Sequence, residues 1–359
     1  MNILFIVPYP EGEAPSQRFR FEQYFPALKE AGHTYAVAPF LDKPTWQILY
    51  QPGRGVHKAL GILKGLLRRL ALLPSLPAYD WVFIHREAAP LGPPLFEWLI
   101  TKVFRKRVVY DFDDAIWLPN TSEQNRMAAR LKWHQKVAAI CRWSYRVSCG
   151  NEYLRQWASQ YNANAVYMPT TLDTERVHNR LKEHNEKEEV VIGWTGTHST
   201  LKYLKPLEGV LQTLAARYPR LRFLIISNQP PTLDLPRLEY RPWNKETEIE
   251  DLLRMDIGIM PLTEDPWSEG KCGFKALQYM ALGIPAVVSP VGVNREMIQE
   301  HGGGLSAQHE QEWGLLLERL IPDGKARSRM GARGRKTVET SYSVSAWGSH
   351  FLRLFELEC

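Results

Sequence analysis

The sequence predicts an α/β protein with two doubly wound, mostly parallel sheets, and three observations carry that expectation. Short apolar runs alternate with loops and amphipathic helical patterns through the first half of the chain. A polar, charged stretch without apolar periodicity, Asn179 to Glu189, then breaks the rhythm, and beyond it the same alternation resumes. At 359 residues, 44% hydrophobic and 23% charged, the chain has material for two such domains of about 150 to 200 residues each. Disorder or a fibre is excluded.

The first domain, residues 1–178, has candidate strands at Ile3 to Val7, Tyr35 to Phe40, Trp81 to Ile84, Val108 to Phe112 and Val147 to Cys149. Helices are expected around Gln17 to Glu30, Leu95 to Phe104 and Arg126 to Trp143. Residues 179–189 read as the linker. The second domain, residues 190–340, restarts with Val190 to Trp194, a helix from about Thr200 to Tyr218, the strand Phe223 to Ser227 and the helix Glu246 to Leu253. Ile257 to Met260, Lys275 to Leu282 and Ala286 to Ser289 follow. In residues 341–359, Trp347, Phe351, Leu352, Leu354 and Phe355 form one apolar face, expected to pack back on the body. Two such domains usually face each other across a cleft, and open α/β sheets bind ligands beyond the carboxyl ends of their strands.

Charge and cysteines narrow the classes. A formal net charge of +6 favours anionic partners but is modest for nucleic-acid binding, which is not expected. Cys141, Cys149, Cys272 and Cys359 share no metal-ligand spacing and form no disulfide framework, which fits a reducing compartment. Ile3 to Val7 follows Met1-Asn2 with no basic leader, so it reads as a buried strand and points to a cytoplasmic protein. No uninterrupted apolar window is long enough for a transmembrane helix.

The segment from Trp267 to Met280 is a glycine-bearing loop feeding a helix after the strand Ile257 to Met260. N–H groups at a helix start, backed by the helix dipole, form a phosphate site, and Gly270 and Gly273 allow close approach to the backbone. If the helix begins early, Lys271, Lys275 and Gln278 fall on one stripe. That stripe offers cations for a diphosphate and an amide for hydroxyls. A solvated lysine face on a surface helix accounts for the local pattern equally well. Gly283 and Pro285 end the helix.

With Asp256-Ile257-Gly258-Ile259-Met260-Pro261-Leu262 and GKCGFKALQYMALGIPAVVSPVGVNRE over residues 270–296, the region resembles the C-terminal domain of family 4 glycosyltransferases of the GT-B fold. The opening Val191-Ile192-Gly193-Trp194-Thr195-Gly196 belongs to the same likeness. It implies two Rossmann-like domains and a nucleotide sugar held almost wholly by the second. In the family two glutamates eight positions apart contact donor sugar and ribose; here Gly270 and Gln278 stand at those positions, with Glu269 adjacent. Gln278 retains donors and an acceptor for ribose hydroxyls. The backbone of Cys272, Gly273 and Phe274 would line the phosphates. Of the family's basic pair after the first strand, Lys202 matches the lysine, and Thr197 or His198 stands for the arginine. Trp243 would lie near the nucleobase, or else in the core.

The resemblance also assigns the first domain to the acceptor. Ser16 reads as an N-cap after the Pro8 to Pro15 loop, with Arg18 projecting at the cleft. His85, after the third strand, matches a family histidine that reaches the transferred sugar; unaided, it reads as a structural hydrogen-bonder. Asp111, Asp113 and Asp114 follow the next strand and would orient acceptor hydroxyls, act as a base, bind a divalent cation, or cap a helix in a polar surface loop; acceptor contact is favoured, because the fold generally needs no metal. Residues 53–76 project Val56, Leu60, Leu63, Leu67 and Leu70 on an apolar face flanked by Lys58, Lys64, Arg68 and Arg69. Such a helix lies either on an anionic membrane surface or at a cleft edge.

The implied reaction is transfer of a sugar, with retention of configuration, from a nucleotide diphosphate sugar to a glycan or lipid-linked acceptor in cell-surface polysaccharide or glycolipid synthesis. Lys202, Lys271 and Lys275 would stabilise the leaving group, and no cofactor or metal is expected. Alternatives are a nucleotide-sugar epimerase of the same fold, or a degenerate sugar-nucleotide-binding subunit suggested by Gly270 and Gln278. A nicotinamide dehydrogenase is disfavoured, because no G-x-G-x-x-G follows the first strand.

Overall fold

The computed structural model describes residues 1–49, 51, 53–119, 133–184 and 189–357. The chain divides into two compact units, Met1–Thr170 with Gly348–Cys359, and Thr171–Trp347. Each contains one six-stranded parallel sheet, in the orders β2-β1-β3-β4-β5-β6 and β12-β11-β10-β7-β8-β9.

In the first unit the strands are β1 (Asn2–Val7), β2 (Thr34–Pro39), β3 (Trp81–His85), β4 (Arg107–Phe112), β5 (Arg146–Cys149) and β6 (Ala165–Tyr167). The helices are α1 (Pro15–Arg18), α2 (Phe25–Glu30), α3 (Lys43–Ile48), α4 (Gly55–Leu72), α5 (Leu95–Trp98), α6 (Lys136–Trp143) and α7 (Glu152–Ser159). The expected helix Gln17 to Glu30 is broken into α1, a 3₁₀ turn Glu22–Tyr24 and α2. Pro26 at the start of α2 lacks the N–H that a continuous helix would use. The first part of the expected helix Arg126 to Trp143, residues 126–132, lies outside the described residues; of the rest, Lys136–Trp143 forms α6. Strand β6 escaped the sequence reading because three residues carry too little periodicity to register.

In the second unit the strands are β7 (Val190–Gly196), β8 (Leu221–Ser227), β9 (Leu238–Pro242), β10 (Ile257–Met260), β11 (Ala286–Val288) and β12 (Gly304–Ser306). The helices are α8 (Glu208–Arg217), α9 (Glu248–Leu253), α10 (Pro266–Glu269), α11 (Phe274–Ala281), α12 (Val293–His301), α13 (Glu310–Leu320) and α14 (Gly324–Ser341). The single helix expected from Thr200 to Tyr218 is a 3₁₀ segment, His198–Leu207, followed by α8, with Pro206 at the junction. The core of this unit gathers Ile192, Trp194, Phe223, Ile225, Ile257 and Ile259 from the strands with Leu211, Trp313 and Leu317 from the helices. The segment before β7 is tied to this unit: Lys182 donates from its N–H to Leu282 O (2.8 Å) and its ammonium pairs with Asp256 (3.1 Å). His184 Nε2 also bonds Gly283 O at 2.8 Å.

The last helix, α15 (Val344–Arg353), carries the chain back to the first unit. There Phe351 stacks on Tyr24 at 4.5 Å, and Phe355 meets Phe5, Trp81 and Phe83 edge-on or tilted. The apolar face read from the sequence is thus an aromatic plug over the first sheet.

Candidate active site

Parallel strands put their following loops at one edge of the sheet, and in both units the candidate residues gather there.

In the first unit, His85 ends β3 and is fully buried. Its Nδ1 donates to Asp111 Oδ2 at 2.8 Å. Asp111, on β4, is buried too, and its other oxygen accepts from Arg20 Nη2 at 2.5 Å and from Ser148 Oγ at 2.7 Å. Burial alone would raise the Asp111 carboxyl, but the Arg20 charge and the His85 hydrogen bond override it and hold the group well below the usual carboxylate range. The carboxylate fixes the histidine tautomer, leaving Nε2 as the other ring position. That Nε2 is buried and has no hydrogen-bond partner. Asp111 therefore reaches His85, Arg20 and Ser148 rather than a solvent-facing loop.

Asp113 and Asp114 instead clamp Arg86, which meets Asp113 Oδ1 at 2.7 Å and Asp114 Oδ2 at 2.7 Å. Arg86 has φ 60°, an uncommon left-handed conformation for a side-chain-bearing residue. A pocket opens beside it between Tyr9, Glu87, Trp133, His134 and Lys136. Lys136 pairs with Glu87 at 2.7 Å, and His134 Nδ1 bonds Ile116 O at 3.2 Å while its Nε2 is buried without a partner. Sequence reading missed these residues; the Trp133-His134 dipeptide fell inside an expected helix and carried no motif. At the entry loop, Ser16 is not an N-cap. Ala14 occupies that position with Pro15 at the first helical turn, because proline's fixed φ starts the helix one residue earlier. Arg18, in α1, lies with its guanidinium carbon 4.8 Å from the Phe19 ring centroid.

In the second unit, α11 begins at Phe274, with Gly273 before it in the left-handed conformation, φ 69°. The helix does not begin early, so Lys271 lies outside it and the three-residue stripe does not form. Lys271 sits over the Trp267 ring at 4.9 Å, while Lys275 rides on α11 with its ammonium 5.6 Å from the Trp194 ring centroid. A Cβ on Gly196 would fall 2.7 Å from Lys275 Cε, so the glycine ending β7 makes room for the lysine stem. Asn294 Oδ1, buried and without a hydrogen-bond partner, would stand 3.2 Å from a Cβ on Gly273. Helix start, lysine and orphan carbonyl thus converge on one turn. Cys272 is a buried thiol, and Gly270 caps α10 with an ordinary φ of −73°.

Gln278, buried on α11, donates to Glu248 Oε1 at 3.4 Å, and the same oxygen accepts from the Trp243 indole at 3.1 Å. Glu248 is buried in the first turn of α9 and was not foreseen. Glu269 accepts from Gly292 N–H at 3.0 Å and lies 3.8 Å from Arg295, so its carboxylate braces the 289–293 loop. Thr197 precedes the 3₁₀ segment as its cap residue; His198 N–H donates to Asn228 Oδ1 at 2.8 Å. Lys202 is exposed, its ammonium 5.2 Å from the Tyr203 ring centroid. Among the described residues no group of three or more His, Cys, Asp or Glu side chains is placed to hold a metal.

Solved structures with a similar fold include sucrose-phosphate synthase from Thermosynechococcus elongatus, at 15% identity and TM-score 0.69 over 99% of this chain and 98% of that one. HepE from Anabaena in complex with UDP and glucose aligns at 13% identity and TM-score 0.68 over 98% of each chain. The catalytic domain of starch synthase IV from Arabidopsis thaliana, bound to ADP and acarbose, aligns at 11% and 0.66 over 99% and 98%. At such identities the likeness defines the fold, which is GT-B. No curated protein matches the sequence. Residues 189–323 match the family model for group 1 glycosyl transferases. The chain thus has GT-B architecture, and its second unit carries a domain that matches the group 1 glycosyl transferases.

Proposed function

We propose that the enzyme moves a sugar, with retention of configuration and without a metal, from a nucleoside diphosphate sugar to a glycan or lipid-linked acceptor. The setting would be cytoplasmic synthesis of a cell-surface polysaccharide or glycolipid. The turn at Gly273 carries the reading. First-turn N–H groups of α11 and the Lys275 ammonium suit a diphosphate, and the orphan Asn294 carbonyl suits a sugar hydroxyl. Lys202 and Lys271 would add positive charge, and Trp243, Glu248 and Gln278 would take the nucleoside. HepE and starch synthase IV, of the same fold, hold UDP and ADP respectively, which supports a nucleoside diphosphate.

On the acceptor side, His85 would offer Nε2 to the transferred sugar, held in register by Asp111. The pocket beside Arg86, with Asp113, Asp114, Ser16 and Arg18 at the same edge, would orient the incoming hydroxyl. Charge on the departing diphosphate would be stabilised electrostatically, so no protein nucleophile is required. The test is a panel of nucleoside diphosphate sugars screened for thermal stabilisation, followed by acceptor-dependent release of the nucleoside diphosphate. Isomerised donor in the absence of acceptor would replace this reading with an epimerase. Stabilisation without turnover across a broad acceptor set would replace it with a binding subunit.

A further inference from the structure

Helix α4 carries its small residues inward and its large apolar residues outward. Gly61, Gly65 and Arg69 form its buried line. A Cβ on Gly61 would stand 2.2 Å from Thr45 Cγ2, and one on Gly65 2.5 Å from Phe40 Cε1, so the helix lies backbone-close to the body. On the opposite side Val56, Leu60, Leu63, Leu67 and Leu70 are 72%, 50%, 52%, 56% and 51% exposed. Their spacing of four, three, four and three residues makes one continuous stripe.

A second element on the same side of the sheet exposes apolar residues too. Helix α4 links β2 to β3, and α5 links β3 to β4, stepping in the same direction across the sheet. Right-handed crossovers place both on one side of it. Arg69 Nε donates to Ala88 O at 2.7 Å, and Ala88 N–H donates to Glu97 of α5 at 2.8 Å. Lys106 Nζ closes the far end on the carbonyls of Pro77 and Tyr79, at 3.2 and 2.6 Å. Helix α5 and the turn after it expose Leu95, Trp98 and Val103 at 53%, 42% and 54%. Of the 14 exposed large apolar residues in the described chain, 8 therefore belong to this one side, a concentration that marks an interaction surface.

Charge identifies the occupant. No Asp or Glu occurs between Lys43 and Tyr79, and the only acid in residues 95–107, Glu97, is buried. Lys64, Lys102 and Arg105 are exposed around the stripe, and Lys58 is half-buried at its edge. Arg68 and Arg69, which the sequence placed among the flanking cations, are used internally. Arg68 pairs with Asp42 at 2.6 Å, and Arg69 donates to Val7, Ala38 and Ala88 carbonyls.

We propose that this face docks on an anionic phospholipid surface, with the leucines and Trp98 entering the headgroup boundary and the lysines and Arg105 meeting lipid phosphates. A second copy of the chain is the poorer occupant, because two such faces would bring like charges together. Docking is measured without any sugar, so it stands or falls separately from the transfer reaction. The test is cosedimentation of the full chain with phosphatidylcholine vesicles that contain or lack phosphatidylglycerol. Binding is expected only with phosphatidylglycerol and should weaken as salt rises. Leu63→Ser with Leu67→Ser should lower partitioning about tenfold or more while leaving the protein folded with a modestly lowered unfolding temperature, since both side chains are about half exposed. Lys64→Glu with Lys102→Glu should do the same. Absence of wild-type binding, or unchanged binding by the serine pair, overturns the proposal. So does a wild-type dimer that dissociates in the serine pair without any vesicle binding.

Discussion

His85 donates from Nδ1 to Asp111 Oδ2 at 2.8 Å, inside a sheet edge from which water is excluded. The same carboxylate neutralises Arg20, which is itself buried. Histidine orientation and the burial of an arginine thus depend on one side chain.

Asp111→Asn should therefore destabilise the first unit by about 3–5 kcal/mol, the cost of leaving a buried guanidinium without its counter-charge. Urea unfolding measures it. The pH dependence follows from the lowered carboxyl pKa. A depressed folded value contributes stability that is present above the unfolded value of about 3.9. That contribution is lost as pH falls toward the folded value. Wild type should lose stability through this acid range, and the asparagine variant should lose less of it.

Lys275 lies on α11 with its stem over Gly196 and its ammonium near Trp194. Lys275→Met keeps the stem and removes the charge, so unfolding should be nearly unchanged while turnover falls about 10²-fold or more. Gly196→Ala should act differently. Its Cβ would fall 2.5 Å from the Trp194 ring as well as against Lys275, so stability should drop by about 1–3 kcal/mol along with activity. Near-normal turnover by the methionine variant would remove Lys275 from the site.

What the sequence revealed and withheld divides along a physical line. Strands β1, β3, β4, β7, β8, β10 and β11 were legible because each carries an apolar run largely buried on both faces, whereas the half-buried edge strand β2 and the buried but mixed β5 were legible from their place in the alternation. The short edge strands β6 and β12 were not, since three residues at a sheet margin carry no such run. Helices were misread where proline intervened, at Pro26 and Pro206. The Gly273 turn and Lys275 were found from local pattern. Glu248, Asn294 and Ser148 were missed because what gives each its significance, Gln278, Gly273 and Asp111, lies 30, 21 and 37 residues away, and no motif spacing encodes those approaches.

Glu248 also bears on the glutamine at position 278. Gln278 donates to the carboxylate that the Trp243 indole already reaches. Gln278→Glu would place two carboxylates together in a buried site, raising the pKa of one. The variant should lose roughly 1–3 kcal/mol at neutral pH, recover part of it as pH falls, and bind donor more weakly. Combining it with Glu248→Gln restores one donor and one acceptor, so the double variant should be more stable than the sum of the single effects. Additive losses across this cycle would show that the two side chains do not interact.

Asp42 supplies the last prediction, because it couples a helix cap to the orientation of α4. It caps α3 by accepting from Thr45 N–H at 3.0 Å, and it also holds Arg68 at 2.6 Å. The Thr45 hydrogen bond, with burial opposing and Arg68 assisting, lowers its carboxyl to about 2. By the same sign, its stabilisation is complete above the unfolded value near 3.9 and fades as pH falls toward 2. Asp42→Ala should cost about 1 kcal/mol at neutral pH, typical of a lost N-cap, and flatten the acid limb of the stability profile. It would also free the Arg68 guanidinium from Asp42, leaving its bond to Phe40 O at 3.0 Å as its remaining tie. If Arg68 then reaches lipid, binding to phosphatidylglycerol vesicles should rise slightly and become steeper in salt, whereas Asp42→Asn, which keeps the cap acceptor, should retain most of the stability. Equal destabilisation by the alanine and asparagine variants would assign the effect to charge and not to the cap.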